Sequence, residues 1–425
     1  MKPFTPRAWR LALACSTLVA GSLWGVNLGA QSTTLPEVKV SSAAIPDFEF
    51  DWGRDGQHCA TCNFGQGNAR FAFSDGENRL WLGYIDHQTG AFLPANGQAV
   101  LLDSNAARAT DFGNGPEWTY GANGSQVMYT KYLAGRPKNS ANAGLGLATQ
   151  VNGSWTAGFV PGSLQRQSPA GSLDLTDTEP RFHYISDRDN QVYWRSTAAI
   201  EVERPLPIAD GGNGIARRWV PGTRKVIYAA KALGADGVEH DQIFTYDTDS
   251  GKKEQLTFEA TDKLGAFMWR APEFGNDWVF FTVADRTTLL VYRRLPGADG
   301  ALRWTVVKSV VMPTALPYVW SPEQFVHNGR SYIFFQLSSS PVFNDTSIPN
   351  QLAITGIDPR RVNFRMLTND SANPRARIDP EYYITAQGPY IYYTRLLLST
   401  ATRPPINDGV WRVDTGLGPA QATTP

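Results

Sequence analysis

The stretch Gly115-Pro116-Glu117-Trp118-Thr119-Tyr120-Gly121-Ala122-Asn123-Gly124-Ser125-Gln126-Val127-Met128-Tyr129 reads as a β-hairpin. A Pro-acid step opens an aromatic strand, Asn123-Gly124 supplies a tight turn, and a Val/Met/Tyr strand returns. Related passages recur down the 425-residue chain every few tens of residues, which is the signature of a repeat architecture.

The relatives can be taken in order. A first unit runs through Phe48-Glu49-Phe50-Asp51-Trp52, then residues 69–73, 79–86 and 98–102. The second begins at Pro116-Glu117-Trp118, and the third at Pro180-Arg181-Phe182-His183-Tyr184, returning through Gln191-Val192-Tyr193-Trp194. The fourth starts at Arg217-Arg218-Trp219-Val220-Pro221-Gly222 and carries an outer hairpin over residues 242–251. The fifth starts at Phe267-Met268-Trp269, the sixth at Ser321-Pro322-Glu323-Gln324-Phe325, and the seventh at Asp379-Pro380-Glu381-Tyr382-Tyr383. The seventh unit lacks a fourth strand. The segment around Val38 to Val40 is expected to fill that gap, closing a ring and removing its exposed edges.

Composition agrees with many short strands: thirteen Trp, sixteen Tyr and twenty-one Phe accompany 39 Gly and 28 Pro, with only five Met. No long amphipathic helices of the kind a βαβ fold needs are visible. The expected fold is therefore all-β, a β-propeller of four-stranded blades. Seven blades are favoured, and six is the alternative because the third unit is short.

Lys+Arg and Asp+Glu are equal at 39 each, so no global field draws the chain to nucleic acid or an anionic membrane. Residues 1–30 read as a secretory signal: Lys2, Arg7 and Arg10, an apolar run over 11–26, and a small-residue cleavage site ending at Ala30. No later run reaches the ~18 apolar residues of a membrane helix. A secreted or periplasmic monomer is expected, with a polar segment over 31–44, the propeller over 45–416 and a flexible tail over 417–425. Past the signal, only Cys59 and Cys62 remain, and an exported compartment permits a disulfide between them. Neither a zinc-type ligand pair nor a haem-attachment His accompanies them.

The hairpins at Pro116-Glu117-Trp118, Trp219-Val220-Pro221-Gly222 and Asp379-Pro380-Glu381 resemble the repeats of TolB-type β-propellers, which have a Pro-x-aromatic start, a short polar turn and a hydrophobic return. The resemblance covers most of residues 48–414 and implies the propeller but no activity. The chain departs from that family's Ser-Pro-Asp-Gly turn, Ser321-Pro322-Glu323 being the nearest approach, and lacks the helical domain of the family's namesake.

In a propeller, equivalent positions of the inner strands converge on the central channel. Aligning the hairpins on their aromatic residues places Glu117, Arg181, Arg218, Glu323 and Glu381 at one such position. Asp379, Asp47, Glu49 and Asp51 lie nearby, and Met268 stands in the fifth unit. Mutual ion pairing is one reading of such a set. The other is a mouth that binds a small polar or glycan ligand, namely a carbohydrate, sugar acid or peptide. There arginine forks would hold a carboxylate, and Trp118, Trp219 or Tyr382 would offer stacking faces. A protein partner at that mouth is a further alternative.

Two carboxylates about 5 to 10 Å apart would support glycoside hydrolysis, with Glu117/Glu323 and Glu381/Asp51 as candidate pairs, but the sequence assigns no catalytic residue. Some secreted propellers cleave uronic-acid polymers with a metal held by several His. Here only His240 sits in a mouth-side loop, so no metal site and no cofactor is expected. No Gly-x-Ser-x-Gly elbow is present. Ser74-Asp75-Gly76 and Asp247-Thr248-Asp249-Ser250-Gly251 resemble calcium-ligand spacing, but hairpin turns need the same residues.

Overall fold

The fold is described from a computed structural model, covering residues 35–41, 43–51, 69–112, 114–120, 125–174, 176–208, 217–369 and 373–421. The signal-like segment 1–30, Cys59, Cys62 and the Asn123-Gly124 turn lie outside these residues. Among the described residues, no helix is long and apolar enough to cross a membrane.

Seven antiparallel sheets follow one another along the chain. Their innermost strands are Phe48–Phe50, Glu117–Thr119, Arg166–Gly171, Arg218–Trp219, Lys263–Ala271, Tyr318–His327 and Ala376–Thr385 for blades 1 to 7. Six blades run outward in chain order. Blade 7 takes Gly388–Leu397 and Ile406–Asp414 and is then completed by the N-terminal strand Glu37–Ser41, which pairs with Ile406–Asp414. Both the seven blades and the closing strand expected from the sequence are present.

Packing explains why the sheets form a ring. Seven of the buried apolar clusters each span one junction between neighbouring blades. Met128, Leu145, Phe182 and Tyr184 join blades 2 and 3, and Phe325, Phe334, Tyr382 and Ile391 join blades 6 and 7. Each sheet therefore buries both faces against its neighbours, and the hydrophobic contribution is shared around the circle.

The seam is fastened by charge as well as by strand pairing. Arg377, fully buried in blade 7, donates Nε and Nη2 to the Glu37 carboxylate at 2.9 and 2.8 Å, and Tyr393 Oη donates to the same group. The guanidinium holds the Glu37 carboxyl below its ordinary value against the upward push of burial. Ile45 O then accepts from Thr394 Oγ1 at 2.7 Å, fixing the chain as it passes into blade 1.

Turn chemistry follows the sequence. The Asp75 carboxylate accepts from the backbone N–H of Glu77 and Arg79, and Asp247 accepts from those of Asp249 and Ser250. These aspartates cap hairpin turns. Residues 417–421, expected to begin a free tail, instead dock on blade 6. Leu417 packs into the blade 6/7 cluster, and Gly418 O lies 2.9 Å from His327 Nε2.

Candidate functional site

The inner strands share one local device. In blades 3, 5, 6 and 7 the register with the second strand slips just before the pairs Ala170↔His183, Phe267↔Phe281, Glu323↔Phe334 and Glu381↔Tyr392. Two residues before each of these positions stands a residue at positive φ: Ser168 (52°), Gly265 (53°), Ser321 (43°) and Asp379 (53°). Three of the four, Ser168, Ser321 and Asp379, directly precede a proline. Such bulges turn the strand and re-aim the next side chain, and non-glycine residues in this region carry strain that tends to gather at functional sites.

The bulges set the equivalences. The ring positions are Glu49, Glu117, Ala170, Arg218, Phe267, Glu323 and Glu381 for blades 1 to 7. An independent contact agrees: Trp118 Nε1 donates to Glu49 O, and Trp219 Nε1 donates to Ala170 O, so Ala170 is to blade 4 what Glu49 is to blade 2. The residues after five of the ring positions, Phe50, Trp118, Trp219, Met268 and Tyr382, pack into the junction with the preceding blade.

Several sequence expectations change accordingly. Arg181 is not in the ring: it begins the second strand of blade 3, at the opposite face of the propeller. There it stacks 4.6 Å from Trp194 and bonds Thr248 Oγ1 and Asp249, stapling blade 3 to blade 4. Met268 yields its place to Phe267. Asp51 is fully buried against Arg70, with Ser125 Oγ donating to it at 3.1 Å, and the Arg70 guanidinium lies between Trp118 and Trp155 at 5.2 and 5.5 Å. Asp51 is therefore an inter-blade group, and the Glu381/Asp51 pair is not a catalytic candidate. His240 Nε2 lies 3.0 Å from Asp236 and its Nδ1 3.9 Å from Asp262, both outside the ring. Trp118, Trp219 and Tyr382, buried in the junctions, offer no stacking face.

What the ring does bring together is Glu117, Arg218, Glu323, Asp379 and Glu381, with Asp47 and Glu49 beside them. Arg218, in blade 4, responds to Glu323, Glu117, Glu49 and Glu381. Those residues stand on blades 6, 2, 1 and 7, so their charges meet across the channel. Most keep water-accessible surface although protein surrounds them, as in a narrow channel. Arg218 Nη2 lies 3.5 Å from Glu323 Oε1, and its guanidinium stacks 5.2 Å from the Phe267 ring.

Crowding of like charge dominates the electrostatics. Burial first, then repulsion by neighbouring carboxylates, holds Asp47, Glu49 and Glu381 well above the ordinary carboxyl range. Burial also raises Glu117, although Arg218 and Asn114 pull it down. Glu323 is pushed up to about 8 by burial, despite Arg218. Asp379 rises to about 6, through burial and then the Glu117 charge. The Asp47 and Asp379 carboxyls hydrogen-bond to each other, which requires a proton between them. Gly115 N–H donates to Asp47. A Cβ at Gly115 would lie 2.4 Å from Asp47 Oδ2, so a larger residue there would displace the Asp47 carboxyl.

The distribution is polarised. Blades 6, 7, 1 and 2 contribute carboxyls without interruption, whereas blades 3, 4 and 5 contribute Ala170, Arg218 and Phe267. Among the described residues, no group of three or more His, Cys, Asp or Glu is arranged to hold a metal ion.

No protein-family model matches this chain, and no curated protein sequence matches it. Solved structures do. A fungal alcohol oxidase of the AA5 family, in complex with copper, is 13% identical over 91% of this chain and 78% of its own, with a TM-score of 0.52. The β-propeller domain of Cps50 (Swd1) from Myceliophteria thermophila is 10% identical over 88% of this chain and 99% of its own, at 0.50. An oligogalacturonate lyase from Vibrio parahaemolyticus is 12% identical over 91% and 95%, at 0.48. Identities this low speak to fold alone. Strand order and inter-blade packing make the chain a seven-bladed β-propeller, and the likeness to the Cps50 domain agrees with a propeller fold.

Proposed function

We propose that this chain is an exported ligand-binding propeller, TolB-like in its hairpins, whose channel takes a small polar ligand. The observation that carries the reading is the polarised ring, four carboxyl-bearing blades facing Ala170, Arg218 and Phe267. Complete internal pairing would need comparable numbers of both signs, yet among the described residues Arg218 is the one ring cation for Asp47, Glu49, Glu117, Glu323, Asp379 and Glu381. A convergent polar site of this kind is where small ligands bind. The loss of Arg181 removes the second arginine of the fork on which a sugar-acid ligand would rely.

A thermal-shift screen of neutral oligosaccharides, sugar acids and amines tests the reading. At least one class raises the melting temperature of the wild type, and Glu381→Gln or Phe267→Ala diminishes that rise. If no compound in any class shifts the wild-type curve, the channel is not a ligand site.

A second reading, a glycan-active hydrolase or lyase, draws on the protonation pattern. A carboxyl titrating near 8, Glu323, beside one titrating near 6, Asp379, resembles the separation that assigns acid and base roles. Release of reducing ends or unsaturated products from a glycan panel, abolished in Glu323→Gln, would support it. Product formation undiminished in that variant removes Glu323 from the chemistry.

A further inference from the structure

We propose that the ligand of this channel is an organic cation, an alkylammonium or guanidinium compound of the diamine or polyamine class, seated against the carboxyls of blades 6, 7, 1 and 2. The inference rests on the reading of the channel as a ligand site and adds the chemistry of the ligand.

Three observations carry it. The first is charge. Among the described residues, Asp47 and Glu49 on blade 1, Glu117 on blade 2, Glu323 on blade 6, and Asp379 and Glu381 on blade 7 face one guanidinium, that of Arg218. Blades 3 and 5 bring Ala170 and Phe267, which carry no charge. Behind the ring, Arg217 and Arg218 act on His183, which is buried, stacked 5.8 Å from Trp219 and held well below its ordinary value by burial first. His183 is therefore neutral and adds no counter-charge.

The second is an orphaned atom. Glu381 is 4% exposed, and its Oε2 is buried without a hydrogen-bond partner among the described residues. The largest charges acting on Glu381 are those of Glu323, Glu49, Asp379 and Glu117, which places this carboxyl among the acidic half of the ring. An unpaired buried acceptor is costly, and the largest charges acting on it are carboxylates, with Arg218 the more distant counter-charge. A donor with positive charge is what the position lacks.

The third is geometry that separates an organic cation from a metal. A divalent ion needs several oxygens within about 2.6 Å of one point, and no group of three or more acidic or His residues among those described is so gathered. An ammonium directs three N–H donors outward, each to an acceptor about 2.9 Å away, and so spans a wider set of carboxyls. The Phe267 ring, already stacked on Arg218, lines the opposite wall and suits the alkyl chain of such a compound.

Binding has a proton signature. Carboxyls that are protonated because they crowd one another ionise when an ammonium arrives and release protons to the buffer. Calorimetry with cadaverine and spermidine at pH 7, in two buffers of different ionisation enthalpy, reads this directly. Saturable binding is expected, with an apparent enthalpy that depends on the buffer in the sense of proton release. Glu381→Gln, an isosteric change, lowers affinity by about 10- to 100-fold, the effect of losing one charge-assisted bond.

Phe267→Ala provides a second variant should the first fail to fold, and it weakens cadaverine relative to the wild type. If a neutral or anionic sugar binds while both amines do not, the ligand-site reading stands and the cation is wrong. If nothing of any class binds, both fall. Amine binding with no proton release, or with unchanged affinity in both variants, overturns the inference by placing the amine elsewhere.

Discussion

Replacing a channel glutamate should make this protein more stable at neutral pH, and Glu323→Gln is the informative case. Glu323 has an ordinary value of 4.5 and is pushed up to about 8 in the folded channel. Between those limits the folded state holds a proton that the unfolded chain has released, so folding stability falls as pH rises. The contribution is fully present below about 4.5 and is lost by about 8. Each pH unit costs about 1.4 kcal/mol per proton, so the 2.5 units from 4.5 to 7 correspond to about 3 kcal/mol. Glutamine keeps the shape and carries no titrating proton.

Urea unfolding followed by tryptophan fluorescence at pH 4.5, 6, 7 and 8 measures the difference. The variant and the wild type should coincide at pH 4.5. By pH 7 the variant should lead by about 3 kcal/mol, the separation opening at about 1.4 kcal/mol per pH unit. Parallel stability curves, or a variant weaker than the wild type at pH 7, would refute the crowded-carboxyl account. The second result would mean that the 3.5 Å contact with Arg218 outweighs the repulsion.

Other outcomes follow from particular contacts. Glu37→Ala removes the carboxylate that pairs with Arg377, a fully buried guanidinium at the ring seam, and should lower the unfolding free energy by about 3–5 kcal/mol in denaturant titration. Asp51→Ala removes the carboxylate that pairs with Arg70 in the blade 1/2 junction. It should lower stability by a similar amount, about 3–5 kcal/mol, while leaving ligand affinity measured by calorimetry unchanged. Ala170→Glu extends the carboxyl ring into blade 3. Its stability should fall with pH more steeply than the wild type's, by about 1.4 kcal/mol per pH unit above 5, as read from urea midpoints.

Much of this was legible in the sequence because the hairpin signal is local. Pro-Glu steps at Pro116, Pro322 and Pro380 mark true inner strands, and the absent fourth strand of blade 7 pointed to residues 38–40. Blade 3 misled for a physical reason. Its inner strand ends in Ala170-Gly171, with neither charge nor aromatic ring, while Pro180-Arg181-Phe182 in the second strand imitates the motif. The readable signal was Ser168-Pro169-Ala170, which shares its proline position with Gly115-Pro116-Glu117, Ser321-Pro322-Glu323 and Asp379-Pro380-Glu381.

In blade 5 the aromatic alignment chose Met268, whose counterparts Trp118 and Trp219 face the preceding junction. The bulge at Gly265 shifts the channel position to Phe267. Asp51 could not be separated from Glu49 by residue type. What separates them is depth along the strand, and that depends on the Arg70 and Ser125 partners brought by other strands.

The most direct measurement of the central claim is a crystal structure of the protein grown with saturating cadaverine. The account predicts an ammonium within about 3 Å of Glu381 Oε2, with the alkyl chain along Phe267. Cadaverine bound outside the ring, or a channel in which Glu381 Oε2 pairs with another protein group and no ligand enters, would contradict it.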